Sequence, residues 1–139
     1  MATLPKSPAV LVDTNVFSYL MKSGDTRAAM YVLHVEGKSV CVAFVTVGEL
    51  YFGAYKRNWG AAKIKDLDAR LRSVVIVPYD LPLCYTYADL KSKTVSSGRT
   101  IPDNDLWIAS CAVRHSIPLI SHNRQHFVGI PGLLLISEA

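Results

Sequence analysis

The chain has 139 residues, half of them hydrophobic and 19% charged, with 15 Lys and Arg against 11 Asp and Glu for a net charge of +4. That composition is too apolar for a disordered chain, and the length suits one domain over residues 1–139 that folds without disulfides or a structural metal. No apolar run nears the ~20 residues that cross a bilayer, and residues 1–7 hold no apolar signal core, so the expected location is the cytoplasm. Cys41, Cys84 and Cys111 are scattered and odd in number, and read as reduced packing residues.

The hydrophobic pattern alternates between strand and helix signals. Residues 9–12 form a short apolar run of strand type, followed by Val16, Tyr19 and Leu20 at i, i+3, i+4, the spacing of a helix face. A second helix is expected over residues 25–35, ended by Gly37, then a buried Val-rich strand over 39–45 with Thr46 opening the next helix. Val47, Leu50, Tyr51, Ala54 and Tyr55 keep helical spacing until Trp59-Gly60 interrupts it, and Ile64, Leu67 and Leu71 begin another stripe. Residues 74–77 are β-branched and stopped by Pro78, which marks a third strand. Residues 80–93 read as a helix with Pro82 in its first turn. After the Ser96-Ser97-Gly98 turn, Ile108, Ala109, Ala112 and Val113 mark one more helix, and strands over 118–121 and 133–136 complete the pattern. Short apolar strands alternating with amphipathic helices predict an α/β fold: a mainly parallel sheet of about five strands with helices on both faces.

In such a sheet ligands bind beyond the carboxyl ends of the strands, where helix amino termini converge. Asp13 directly follows the first strand, Glu49 lies one helical turn past the second, and Asn123 follows the strand that ends at Ser121. Asp105 lies at the start of the helix carrying Ile108, with Asp103 two residues before it. Carboxylates crowded into one pocket hold protons at neutral pH unless a cation compensates their charge. Hard oxygen donors suit Mg²⁺ or Mn²⁺, ions that activate water and stabilise charge on a phosphoryl oxygen. The chemistry expected at this edge is phosphodiester hydrolysis.

Four blocks then carry a family resemblance. Val12-Asp13-Thr14-Asn15-Val16-Phe17, Val47-Gly48-Glu49-Leu50, Asn104-Asp105-Leu106-Trp107-Ile108-Ala109, and Leu119-Ile120-Ser121-His122-Asn123 with Phe127 resemble, in order, the four sequence blocks of PIN-domain nucleases. Within that family the chain is most similar to VapC-type toxins of toxin–antitoxin pairs. The resemblance implies a three-layer α/β/α PIN-like fold and a Mg²⁺- or Mn²⁺-dependent endoribonuclease that cuts a structured RNA in an accessible loop. It also implies a homodimer and a VapB-type antitoxin that silences the enzyme. Carried over block by block, Asp13, Asp105 and Glu49 match the metal-binding acids and Asn123 the fourth catalytic position. With an amide there, Asn123 is expected to orient a metal-bound water and not to bind the metal. Asp103 stands as either an extra acid of the site or a helix cap.

Blander readings stand beside these. Thr46-x-x-Glu49 also fits a capping box, in which the glutamate reaches back to the Thr46 backbone. Arg99 and Arg124 flank the acidic blocks and, with Thr14, Asn15 and Ser121, are the candidate substrate-binding residues, although Thr14 and Asn15 also suit a plain turn. His122 and His126 are four apart but lack a third zinc ligand, and read as histidines near the substrate. Lys56, Arg57, Lys63, Lys65, Arg70 and Arg72, against Asp66 and Asp68, account for the whole net charge, as a phosphate track or a solvated helix face. The Val16/Tyr19/Leu20 and Val47/Tyr51/Ala54 faces belong to the core or to a groove for a partner helix. Two other functions compete with a ribonuclease: a non-catalytic RNA- or peptide-binding module, and a DNA-directed metal nuclease.

Overall fold

The computed structural model describes residues 8–139, so the expectation drawn from residues 1–7 lies outside the described residues. Its elements run β1 (Ala9–Val12), α1 (Thr14–Met21), α2 (Thr26–Val35), β2 (Ser39–Ala43), α3 (Phe44–Lys56), α4 (Ala61–Arg72), β3 (Val75–Val77), α5 (Leu81–Ser96), α6 (Asp103–His115), β4 (Leu119–Ile120), α7 (Arg124–Phe127) and β5 (Leu135–Ile136). The five strands form one sheet in the order β3-β2-β1-β4-β5, every pair parallel. β1 is central: Leu11 pairs with Cys41 on one side and Leu119 on the other.

Strand side chains alternate between two separate cores, as the period of two demands. Leu11, Cys41, Ala43 and Leu119 pack with Leu83 and Leu90 of α5, Ile108 of α6 and Phe127 of α7. Val10, Val12, Val42 and Ile120 face the other way, onto Val16 of α1, Tyr31 of α2, Leu50 of α3 and Leu67 of α4. Helices therefore cover both faces, and the expected three-layer α/β/α arrangement is the one observed. The face of Val16 and the face of Ala54 belong to this second core, with Leu20, Val47 and Tyr51 half-buried at its margin, while half-buried Tyr19 packs on the His122 ring and under the Arg27 guanidinium. Among the described residues no helix is long and apolar enough to cross a membrane.

All three cysteines are free, and Cys41 and Cys111 are fully buried in the first core. Burial, aided by the nearby Asp80 charge, pushes the Cys111 thiol up to about 12, so it packs as an inert thiol.

Element boundaries depart from the periodicity: β3, β4 and β5 are shorter than the expected 74–77, 118–121 and 133–136, and three further elements differ. β2 ends at Ala43, not at residue 45: Phe44 and Val45 form the first turn of α3 and pack on the first core. A short apolar run cannot by itself separate a strand end from a buried first helical turn. α5 runs on to Ser96, anchored at its start by Asp80, whose Oδ1 accepts from Leu83 N at 2.8 Å. The four-residue α7, too short to show a period, has no counterpart in the sequence reading.

The hydroxyl of fully buried Tyr31 ties α2 to the far end of the chain. It lies 2.6 Å from His122 Nδ1 and accepts from Glu138 N at 3.0 Å. Tyr31→Phe leaves both groups without their partner and should cost about 1–3 kcal/mol in urea denaturation. An unchanged midpoint would show that water replaces the hydroxyl.

Candidate active site

Parallel order reverses direction between β1 and β4, and at that split the carboxyl ends of both strands open onto one pocket. The pocket, of about 260 Å³, is lined by Asp13 and Asn15 from the end of β1 and α1, Glu49 from α3, Asn104 and Asp105 from α6, and Asn123 and His126 around α7. Thr14 and Pro102 complete it.

Asp13 is the N-cap of α1 and is only 4% exposed. Its Oδ1 accepts from Val16 N at 2.9 Å and its Oδ2 from Ser121 Oγ at 2.6 Å. Ser121 Oγ in turn accepts from Asn123 N at 2.9 Å. Burial is the main cause that raises the Asp13 carboxyl above its ordinary value. The bonds from Ser121 and Val16 oppose it, and the charges of Asp105 and Glu49 add to it. Asp105 is raised by burial as well, with His126 opposing and Glu49 adding. Mutual repulsion is thus real but smaller than the cost of burial.

Glu49 makes no capping box, because Thr46 lies inside α3 and not at its N-cap, which is Ala43. Its two oxygens go instead to partners from other elements: Oε1 lies 2.7 Å from Thr14 Oγ1, and Oε2 accepts from Asn104 Nδ2 at 2.7 Å. Thr14 Oγ1 is also 3.1 Å from Thr46 Oγ1. A hydroxyl has one proton; given to the carboxylate, it leaves Thr14 to accept from Thr46. Asp105 Oδ2 is held by His126 Nδ1 at 2.5 Å, and Asn123 Nδ2 approaches the same ring nitrogen at 2.7 Å. As an N–H, Nδ1 donates to Asp105, and Asn123 must then turn its amide oxygen toward it.

Asp13, Glu49, Asp105, Asn123, Thr14 and Asn15 therefore share one pocket, with Ser121 directly beneath Asp13. Asp103 does not join them. Its carboxylate turns outward, accepting from Tyr87 Oη at 2.7 Å and Lys91 Nζ at 2.8 Å, and these two cationic and phenolic donors hold it below the usual carboxylate range. It does not cap α6 either, since the N-cap is Pro102. Arg99 is engaged elsewhere: its guanidinium donates to the carbonyls of Val128 at 2.5 Å and of Gln125 and His126 at 3.0 Å each. It braces the carbonyls of α7 and of the turn that follows, and through His126 it connects to the pocket. Arg124 is exposed at the start of α7. The two histidines part company, His122 to Tyr31 and His126 to Asp105.

Asn104 was given no site role from sequence, and His126 was read only as a histidine near the substrate, without its bond to Asp105. Asn104 sits within the third block, and His126 follows Asn123 by one helical turn, a relation visible only once α7 is known. Among the described residues no three His, Cys, Asp or Glu side chains are grouped closely enough to hold a metal ion as they stand. Hydrogen bonds to neighbours satisfy the carboxylates separately.

Comparisons with known proteins bear on the family and the fold. The PIN domain family model matches residues 10–132. The chain is 28% identical over 117 residues to ribonuclease VapC2 of Haemophilus influenzae, covering 84% of this chain and 88% of that protein. It is 26% identical over 126 residues to ribonuclease VapC2 of Rickettsia felis, covering 90% and 94%. The structure of VapBC-1 from nontypeable Haemophilus influenzae superposes with a TM-score of 0.80 at 28% identity, covering 93% of this chain and 97% of that one. VapBC2 from Rickettsia felis, bound to a DNA fragment from its promoter, shares the fold at a TM-score of 0.82 and 23% identity, covering 94% and 99%.

Asp13 gives a stability test with a defined sign. Its folded value is raised, so its contribution to stability is full below the unfolded value of 3.8 and is lost as pH rises through the folded value. Asp13→Asn keeps an oxygen for Val16 N and removes the buried charge, while its amide N–H reverses the bond to Ser121, whose Oγ then accepts. Its Tm should exceed the wild type at neutral pH, with the gap closing in acid. Asp13→Ala, which loses the cap, should be about 1 kcal/mol less stable than Asp13→Asn.

Proposed function

We propose, from the premise that this chain belongs to the PIN-domain family, that it is a divalent-metal-dependent endoribonuclease of VapC type, one nuclease domain over residues 1–139 acting in the cytoplasm. The observation that carries the reading is that Asp13, Glu49 and Asp105, from three elements far apart in sequence, line one pocket at the split of the sheet. Relatives named as ribonucleases support the choice of RNA.

The donor set fits Mg²⁺ or Mn²⁺: the three acids offer oxygen alone, and burial penalises the charge of Asp13 and Asp105, which a dication would compensate. Asp13, Asp105 and Glu49 would hold the ion. When bound, it supplies Lewis-acid stabilisation of charge on a phosphoryl oxygen and acidifies water.

The remaining work belongs to the chain's own groups. Ser121 and the Val16 amide fix the Asp13 carboxylate, and Thr14 and Asn104 fix the two oxygens of Glu49. His126 fixes Asp105 Oδ2 and leaves Oδ1 without a hydrogen bond among the described residues. Asn123, beside His126, orients the attacking water, and exposed Arg124 and Asn15 meet the substrate backbone. Water adds across the phosphodiester bond and the 3′-side oxygen leaves. Arg99 acts as a positioning residue, holding the carbonyls of α7 so that His126 stays on Asp105. The substrate is a structured RNA cut in an accessible loop. The partners are a VapB-type antitoxin and a second copy of the chain, in keeping with the VapBC complexes it superposes on.

Purified protein should cleave RNA with added Mg²⁺ or Mn²⁺ and stop on addition of EDTA, with matched single-stranded DNA left intact. Asp13→Asn and Asp105→Asn should abolish cleavage, and Ser121→Ala should lower it by about 10–100-fold. Activity that survives Asp13→Asn, or that ignores chelator, would overturn the assignment.

A further inference from the structure

Between α1, α3 and α4 a trough of about 570 Å³ opens beside the catalytic pocket, and Thr14, Asn15 and Glu49 line both. Four cations stand along it: Lys22 at the end of α1, Lys56 and Arg57 at the end of α3, and Lys63 in the first turn of α4. Of the cations outside it, Arg27 is paired with Asp25, Arg70 with Asp66, Lys91 with Asp103, Lys93 with Asp89 and Arg114 with Asp80, whereas Lys38, Lys65, Arg72 and Arg124 have no acidic partner among the described residues and line none of the trough. None of the four in the trough has an acidic partner among the described residues. Of the two acids that line it, Asp66 is paired with Arg70, and Glu49 is held by Thr14 and Asn104. Four exposed like charges without counter-charge form a site for a polyanion.

Local geometry serves that arrangement. A Cβ at position 53 would come within 2.8 Å of Arg57 Nη1, so the guanidinium lies back over bare helix backbone at Gly53. Glycine inside a helix weakens it, and here its missing side chain is the room Arg57 uses. Phe52 is 67% exposed on the same wall, and Lys63 Nζ lies 5.4 Å from the centroid of the Trp59 ring. Cations beside exposed ring faces suit single-stranded nucleic acid, phosphates on the charges and bases on the rings. A phosphodiester seated at Asp13, Glu49 and Asp105 must lead its neighbouring nucleotides away through some opening, and this trough adjoins the pocket through shared residues.

We infer that the trough seats the RNA strand flanking the cleaved bond, with Lys22, Lys56, Arg57 and Lys63 taking phosphates and Phe52 taking a base. The inference rests on the nuclease reading and adds to it the path of the substrate. It also divides the basic segment of residues 56–72: Lys56, Arg57 and Lys63 face the substrate, whereas Lys65 and Arg72 are exposed and line none of the trough.

The test is anisotropy of a fluorescein-labelled single-stranded RNA against protein carrying Asp13→Asn, titrated between about 50 and about 200 mM salt. Adding Lys56→Gln and Lys63→Gln should make the negative slope of log affinity against log salt shallower by about 1.4, about 0.7 for each lost contact. The loss should be equal across RNA sequences. Lys65→Gln with Arg72→Gln should leave the slope unchanged, and Phe52→Ala should weaken binding at constant slope. In the cleaving protein the Lys56/Lys63 pair should raise KM and leave kcat as it was. Wild-type cleavage with a slope unmoved by the Lys56/Lys63 pair overturns the trough and leaves the nuclease standing. So does the same unmoved slope together with loss of a bound acidic protein partner. A wild type that neither binds nor cuts RNA overturns both.

Discussion

The Asp13 carboxylate is held almost out of solvent at the end of the central strand, and most of what is distinctive in this molecule follows from keeping it there. A charged group so placed is costly unless every lone pair finds a donor or a cation. The chain supplies donors from two directions. The first turn of α1 offers the Val16 amide, and the end of β4 offers the Ser121 hydroxyl. The second donor exists only because β4 lies beside β1, which requires the chain to complete β2 and β3 on one side before crossing to the other. Topology and electrostatics therefore meet at one carboxylate.

Around it the other two acids are not pressed together but held apart, each by hydrogen bonds from a different element. Thr14 and Asn104 bracket Glu49, and His126 restrains Asp105. Burial contributes more than mutual repulsion to the raised values of Asp13 and Asp105. The site is a set of preoriented oxygens, and burying the charge of Asp13 and Asp105 costs stability. Orienting groups of this kind matter nearly as much as the ligands they hold.

Arg99 and Arg57 illustrate how position decides what a cation does. Arg99 spends its planar fork on three carbonyls around α7, a task that a lysine point charge cannot perform. Arg57, by contrast, bonds to no carboxylate among the described residues and lies over Gly53 at the open trough. One guanidinium fixes the frame of the pocket, and the other faces what enters it.

The order of the elements other than α7, the five strands and the two-sided burial of the sheet were legible in the sequence, because a period of two against a period of 3.6 is a local property. So was the placement of Asp13, Glu49 and Asp105 at the carboxyl edge, since each follows a recognisable strand or opens a recognisable helix. What local pattern could not supply was the direction of each side chain. Asp103 and Asp105 are two residues apart on one helix, and a difference of about 200° around its axis sends the first to Lys91 and the second into the pocket. Thr46 and Glu49 fit a capping box until the strand ends two residues early and moves the helix start to Phe44. Arg99 and His126 depend on α7, four residues whose helix is stabilised by contacts from elsewhere in the chain and so leaves no periodic signal. Sequence determined which chemistry was present at this edge; only the packed fold decided which groups face one another.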